Sequence, residues 1–147
     1  MLQTTREFSL REMGKRADPK NIPYFIQMLG DAEPCVREEA ALALSKLGHQ
    51  AKEAISSLVQ ALKDKQWVVR RHAAMALGRI GPTANDIAPV LDQALHGETF
   101  TLRANAVYFL GEIPNVEEVS SVLIQTLTDR DRRIRMEAAI ALRNRKK

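Results

Sequence analysis

The sequence repeats itself with a period of 32 to 33 residues, and this period restricts the possible folds more than any other feature. Four arginines set the register, since they fall 33, 33 and 32 residues apart: Arg37, Arg70, Arg103 and Arg135. An aliphatic residue precedes each of them, small or slim residues follow three and four positions later, and a leucine follows seven positions later. Columns that recur in register over four units predict a stack of structural repeats.

Each repeat contains two stretches of helical apolar spacing, separated by a turn that usually contains aspartate. Phe25 and Leu29 mark the first helix (A) of one repeat, and Val69 and Leu77 mark the second helix (B) of the next. Spacings of three and four residues place the apolar side chains on one face of a helix. The chain is therefore predicted to be all-α, without strands.

Residues that begin and end helices agree with this division. Pro19 and Pro34 stand at first-turn positions, where the missing N–H of proline costs nothing. Gly48, Gly81 and the segment 111-GEIPN-115 follow B helices and are predicted to end them. Asn115 and Glu118 have the spacing of a capping box at the start of the last A helix.

The repeats divide residues 1–147 into one predicted domain with a cap at each end. Residues Thr4 to Lys15 form a predicted lone helix within a half-repeat cap, residues 1–17. The predicted full repeats are residues 18–48, 49–82, 83–113 and 114–147. The last segment, 143-RNRKK-147, replaces the expected apolar residue with charge and is predicted to face solvent.

The segment 68-VVRRHAAMALGRIG-81, preceded by Asp64, closely resembles the HEAT-like repeat named after phycobilisome lyases. The resemblance covers residues from about 18 to 147. It implies a right-handed α-solenoid of about four and a half HEAT-like helical hairpins, or about nine helices. Most members of that family are adaptors and scaffolds, and a minority are subunits of bilin lyases, which attach or remove tetrapyrroles.

The resemblance also implies that the turn aspartates and B-helix arginines form a ladder between neighbouring hairpins. The pairs that fit are Asp31 with Arg37, Asp64 with Arg70, and Asp129 with Arg135. Gly97 replaces the aspartate of the third repeat, so Arg103 is predicted to lack a partner in its own repeat. Asp64 of the preceding repeat is one predicted substitute, and a ligand contact is the other.

The B helices contain the candidate binding surface. Five residues after each arginine stand Leu42, Met75, Tyr108 and Ile140. Typical repeats of the family have a polar residue there, because the position points into the concave groove. An apolar stripe with a polar rim predicts a groove for a partner helix or peptide, and burial of the stripe in the core is the alternative. The predicted rim residues are Arg71, His72, Arg79, Asn105 and Glu112.

Trp67 and Phe100 occupy one column, three residues before the arginine, in the turns between helices A and B. Such an aromatic residue staples the start of a helix, or it anchors a partner. The sequence leaves both interpretations open.

The sequence lacks the motifs of the common catalytic sites. His49, His72 and His96 fall in different columns without metal-binding spacing, and no phosphate-binding glycine loop or GxSxG segment is present. Cys35 lies beside Pro34 at a helix start, where the helix dipole lowers thiol pKa values, but an inert cysteine is the simpler prediction. We therefore predict a protein that is not an enzyme and binds no cofactor or metal.

Charge is concentrated at the C-terminal end. Residues 128–147 carry eight basic and three acidic side chains, a net charge of +5, whereas the whole chain carries +4. This end makes nucleic-acid binding an alternative function, although it contains no aromatic residue to stack on bases. The leading prediction is a scaffold that binds another protein. A subunit of a bilin lyase, acting with a second chain, is the other alternative.

Three further features suggest a cytoplasmic protein. The apolar runs are too short to cross a membrane. The first residues also lack the apolar stretch that is typical of a secretory signal. The single cysteine, Cys35, excludes an internal disulfide and agrees with a reducing compartment.

Overall fold

The structure, a computed structural model, describes residues 10–16, 18–83, 85–114 and 116–145. All regular secondary structure in these ranges is helical, which confirms the all-α prediction. The chain divides into two compact units, Met1–Gly81 and Pro82–Lys147. The boundary falls between the second and third predicted repeats.

The first unit contains the N-terminal helix and two helical hairpins. Its helices are α1 (10–16 within the described residues), α2 (Ile22–Met28), α3 (Pro34–Leu47), α4 (Ile55–Ala61) and α5 (Trp67–Ile80). Short 3₁₀ helices, Pro19–Asn21 and Gly48–Ala54, lead into α2 and α4. Within the hairpins α2 packs on α3 and α4 on α5, and α3 packs along α5.

The second unit contains two more hairpins. Its helices are α6 (Ala88–His96), α7 (Phe100–Gly111), α8 (Glu117–Thr126) and α9 (Arg132–Arg145). Here α6 packs on α7 and α8 on α9, while α7 packs along α9 and α6 along α8. Residues 4–9 of the predicted lone helix lie outside the described residues, and its remainder is helical as α1. The described ranges therefore contain nine α-helices, in agreement with the predicted number.

Most of the predicted helix ends are confirmed. Pro19 and Pro34 occupy first-turn positions, and Gly48 and Gly81 follow α3 and α5 with φ values of 55° and 82°. Positive φ strains any residue with a Cβ, so glycine is favoured there. The predicted capping box is wrong in register, because Val116 occupies the N-cap position of α8 and makes no side-chain cap bond. Asn115 itself lies outside the described residues.

Small residues allow the B helices to lie close together within each unit. Ala40, Ala41, Ala73 and Ala74 have no exposed surface. A Cβ added at Gly111 of α7 would lie 3.0 Å from the Cβ of Ala141 in α9. Larger side chains at these positions would force the helices apart, since protein interiors are close-packed.

Candidate functional site

In the first unit, an arginine ladder joins one hairpin to the next. Arg37 donates from Nε to Asp64 Oδ2 (2.6 Å) and from Nη2 to Asp64 Oδ1 (3.1 Å). Its Nη1 donates to the main-chain oxygen of Asp31, in its own repeat, at 2.7 Å. The carboxylate that makes these hydrogen bonds thus comes from the following repeat, whereas the carbonyls of Asp31 and Ala32 come from the arginine's own repeat.

The second unit has the same arrangement and corrects a prediction. Arg103 donates from Nε to Asp129 Oδ2 (2.9 Å) and from Nη1 to the carbonyl of Gly97 (3.0 Å). The expectation that Gly97 leaves Arg103 short of a partner, to be satisfied by Asp64, is wrong. A glycine offers the same carbonyl as an aspartate, and Asp129 fills the carboxylate position. Arg103 is buried in this contact, which argues against a role as a ligand contact.

Arg70 makes no hydrogen bond to a carboxylate among the described residues. Its Nη1 donates to the carbonyl of Asp64 at 2.6 Å, but its buried Nε has no hydrogen-bond partner among the described residues. The Arg70 guanidinium lies 5.4 Å from the centroid of the Trp67 ring, within the range of a cation–π contact.

The pairing with Arg37 controls the ionisation of Asp64. Burial opposes the charged form of this carboxyl, but hydrogen bonds from Arg37 and from the main-chain N–H of Gln66 outweigh burial and lower the pKa of Asp64. The hydrogen bond to Asp64 correspondingly raises the pKa of Arg37. Both groups are therefore charged at neutral pH and hold the two hairpins of the first unit together.

The candidate binding surface, here called the B-helix surface, comprises the positions one, two, five and nine residues after each arginine. In the first unit Leu42 on α3 and Met75 on α5 are half-buried, so these side chains are neither core nor fully exposed. Arg71 and Arg79 are exposed beside Met75. His72 is half-buried, and its Nδ1 lies 2.7 Å from the carbonyl of Val68.

The second unit presents the corresponding surface on α7 and α9. Tyr108 and Asn105 on α7 are half-buried, and Glu112, directly after the last residue of α7, is exposed. Ile140 and Met136 on α9 are exposed to 41% and 53%. The B-helix surface of each unit therefore combines accessible apolar side chains with a polar rim.

The two aromatic residues of the turns differ in their surroundings. Trp67 is exposed to 44%, at the first turn of α5. Phe100 is half-buried, and the Arg133 guanidinium lies 4.0 Å from the centroid of its ring. Phe100 is thus covered within its own unit, whereas Trp67 presents much of its surface.

Several of the C-terminal arginines make internal contacts that the sequence analysis missed. Arg145 folds back to donate to Ser120 Oγ (3.1 Å) and to the carbonyls of Ile113 and Val116. Burial lowers the pKa of Arg145. The prediction that this position faces solvent is wrong. It occupies the column of Leu47 and Ile80, and the chain fills that position with an arginine whose donors reach main-chain carbonyls.

Other basic residues at this end remain accessible. Arg130, Arg132 and Arg143 are exposed, whereas Arg135 donates to the carbonyl of Asp129 at 2.7 Å. Lys146 and Lys147 lie outside the described residues. An open depression of about 690 Å³, lined in part by Glu112, Ser120 and Arg145, lies beside this end.

Within the described ranges, no three His, Cys, Asp or Glu side chains are grouped as metal ligands would be. The same ranges contain no helix that is both long enough and apolar enough to span a membrane. Cys35 is exposed and is a free cysteine.

Comparison with known proteins identifies the repeat. Models of HEAT repeats match residues 22–51 and 49–98. A comparison with the curated proteins gave no match.

Two solved structures are similar in fold. The archaeal HEAT-like repeats protein from Thermococcus onnurineus NA1 is 15% identical, with a TM-score of 0.55. It covers 92% of this chain. An engineered protein from the Northeast Structural Genomics Consortium is 22% identical over 86% of the chain, with a TM-score of 0.53. The chain spans 63% of the length of each of these proteins. The matched models and the shared helical architecture together establish that the chain is an all-helical protein that contains HEAT repeats.

Proposed function

We propose that this protein is a non-catalytic scaffold that binds a helix or an extended peptide of another protein on its B-helix surface. The observation that carries the proposal is the apolar column Leu42, Met75, Tyr108 and Ile140, which is at least partly accessible in all four B helices. Soluble proteins rarely leave apolar side chains aligned at a surface unless a partner covers them.

The rim residues indicate how a partner would be oriented. Arg71 and Arg79 flank Met75 in the first unit, and Glu112 follows Tyr108 in the second. An apolar centre surrounded by charged groups is typical of protein interfaces, where the rim selects the partner and the centre supplies most of the binding energy. A segment bound along α5 would accordingly carry acidic side chains. Trp67, at the start of the same helix, is a second candidate anchor.

Two substitutions test the proposal. Met75→Glu and Tyr108→Glu should each weaken binding of a purified partner by roughly 100-fold or more, because they place a charge in the apolar centre. Unfolding free energies should change by about half a kcal/mol or less, as for other accessible positions. Titration calorimetry measures the affinity, and thermal melts measure the stability of each variant.

Matched controls introduce the same charge on A helices. Ser56→Glu on α4 and Gln125→Glu on α8 alter exposed positions outside the B-helix surface and should leave affinity unchanged. A large loss of stability in Met75→Glu or Tyr108→Glu would instead identify these side chains as core, and the proposed surface would be wrong.

The resemblance to phycobilisome-lyase repeats implies tetrapyrrole handling as the alternative function. Mixing the purified chain with phycocyanobilin or haem tests it directly, since a bound tetrapyrrole shifts its absorbance bands. An unchanged spectrum is expected for a scaffold, and a saturable shift lost in Tyr108→Glu would favour the alternative.

A further inference from the structure

Helix α5 carries a row of accessible side chains in which apolar and basic residues alternate. Positions four residues apart lie about 6 Å apart along a helix and on the same side of it. On α5 this row is Trp67, Arg71, Met75 and Arg79. Trp67 is 44% exposed, Met75 is half-buried, and both arginines are exposed. The alternation gives α5 two apolar contact points and two cations along about 18 Å of its length.

Arg71 and Arg79 are not paired with other side chains of the described chain. Neither guanidinium makes an ion pair or a hydrogen bond with another described residue. Arg37 of the same unit shows the contrast, since Asp64 accepts hydrogen bonds from two of its nitrogens and the pair is largely buried. An arginine binds a carboxylate through two parallel N–H donors, which gives such a pair geometric specificity. The two exposed cations are therefore available to carboxylates of a partner.

The charges on α3 do not neutralise these arginines. Glu39 already binds Arg11 of α1, with 3.2 Å between Oε1 and Nε. Lys46, exposed near the end of α3, occupies the column of Arg79 and adds a third cation. Glu38 is the other acid of α3 on this surface and is half-buried. The B-helix surface of the first unit therefore carries more basic than acidic groups, which favours an acidic partner.

The composition of this surface also favours a helical partner segment over an extended one. An extended segment leaves main-chain N–H and C=O groups that need partners. Side-chain amides can bind both groups at once, but none of the B-helix surface positions on α3 and α5 is asparagine or glutamine. A helix satisfies its own main-chain groups, and its side chains recur every four residues at the same spacing of about 6 Å as the row on α5.

We infer that the partner segment is an acidic amphipathic helix that lies along α5, and this inference rests on the function proposed above. Its carboxylates bind Arg71 and Arg79, and a large apolar side chain between them covers Met75. Because the two arginines are about 12 Å apart, the carboxylates stand seven or eight residues apart in the bound helix. A further apolar residue, beyond the carboxylate at Arg71, contacts Trp67.

Three designed helical peptides test the charge of the partner. The first alternates leucine and glutamate at every fourth position of an alanine-rich helix, and the other two have glutamine or lysine in place of glutamate. Fluorescence anisotropy at low salt measures the affinity of each peptide for the unmodified protein. The glutamate peptide should bind roughly three- to ten-fold more tightly than the glutamine peptide, as expected for two exposed ion pairs. The lysine peptide should bind more weakly still, because like charges then face each other.

Charge reversal on α5 makes the test specific to this row. In the double variant Arg71→Glu, Arg79→Glu the ranking should invert, so that the lysine peptide binds most tightly. The matched control is Lys20→Glu, Lys52→Glu, which changes the net charge by the same amount at exposed positions of the first unit outside the B-helix surface. The control should keep the original ranking, and thermal melts verify that both double variants are folded.

A fourth peptide tests the helical form of the partner. Two central prolines, placed off the row of leucine and glutamate, prevent this glutamate peptide from forming a continuous helix. Its affinity should fall by roughly ten-fold or more. Undiminished affinity would show that the occupant is extended and would overturn the inference of a bound helix.

The outcomes separate this inference from the proposed function. Equal affinities for the three helical peptides, with binding of the glutamine peptide lost in Met75→Glu, would overturn the acidic preference and leave the B-helix surface as the binding site. Binding that is unaffected by Met75→Glu would place the peptides elsewhere and contradict both proposals. Absence of binding by all three peptides would overturn the inference alone, because the response of a purified partner protein to Met75→Glu tests the proposed function separately.

Discussion

At the scale of single residues, the contribution of a side chain to stability depends on whether its buried polar atoms have hydrogen-bond partners. Arg37 binds a carboxylate through Nε, whereas the buried Nε of Arg70 has no partner among the described residues. Hydroxyl groups differ in the same way. Thr126 Oγ1 donates to the carbonyl of Leu123 at 2.7 Å, but the buried Ser45 Oγ has no partner within the described structure.

Replacing the two arginines should therefore have unequal effects. Arg37→Met should destabilise by about 3 kcal/mol, because it leaves the carboxylate of Asp64 largely buried without its cation. Arg70→Met should change stability by about 1 kcal/mol or less, since the lost bond to a carbonyl is offset by removal of the unpaired Nε. Urea unfolding of both variants gives the comparison, and equal losses would contradict this account of the ladder.

The two hydroxyl residues make a second matched pair. Ser45→Ala should raise stability by about 0.5–1.5 kcal/mol, because it removes a buried unpaired oxygen and places alanine in a helix. Thr126→Val should lower stability by about 1 kcal/mol, because it removes a hydrogen bond that is made. A stabilising Thr126→Val together with a destabilising Ser45→Ala, in thermal melts, would show that the hydroxyl partners are assigned wrongly.

At the scale of helices, hairpins are joined through two kinds of contact. Alanine and glycine let neighbouring B helices approach, as at Gly111 and Ala141. Ladder pairs then connect the turns, with Arg37 of α3 bound to the aspartate between α4 and α5. The second contact depends on the charge of a carboxyl group and so depends on pH.

Acid should weaken the junction between the first two hairpins. The pKa of Asp64 is lower in the folded protein than in the unfolded chain, so its contribution is complete above the unfolded value of about 3.9. It is lost as pH falls from there through the folded pKa, where protonation breaks the pair with Arg37. Unfolding measured from pH 6 downwards should therefore depend less on pH in Asp64→Asn than in the unmodified protein, and the difference should appear below about pH 4. Identical slopes for the two proteins would contradict the assignment.

At the scale of the whole molecule, the question is whether the basic C-terminal end acts on a partner of its own. Arg135 and Arg145 are half-buried and make internal contacts, whereas Arg130, Arg132, Arg133 and Arg143 are exposed within the described residues. Few cations on one short region provide weak, sequence-independent attraction to phosphates.

Duplex DNA binding should accordingly be weak and strongly dependent on salt. We expect fluorescence anisotropy to detect at most micromolar binding near 50 mM salt, roughly the non-specific range, and to lose it near 200 mM. Removal of residues 143–147 should make the affinity for DNA less dependent on salt, because fewer cations then contact phosphates. Binding that persists at 200 mM salt, or that distinguishes one sequence from another, would require a dedicated nucleic-acid site.

Much of the fold could be predicted because local chemistry is repeated. Apolar spacing identified the paired helices, and Pro34, Gly48 and Gly81 identified ends of helices, since backbone restrictions act wherever the residue stands. The apolar column of the B helices was also found from spacing alone. Its partner remains a proposal, because spacing determines which residues share a face and not what covers it.

Only the tertiary structure determined which hydrogen-bond partners the long side chains find in other parts of the chain. The sequence places Asp31 and Arg37 six residues apart, yet Arg37 binds Asp64, 27 residues away, because the packing of α3 along α5 brings the next turn to its guanidinium. Packing within the second unit likewise determines that Gly97 supplies a carbonyl to Arg103 and that Arg145 turns back onto Ile113 and Val116. Periodicity alone determined the helices and their order, since helix formation depends on near neighbours, whereas each long side chain bonds to whichever group the packed hairpins place within its reach.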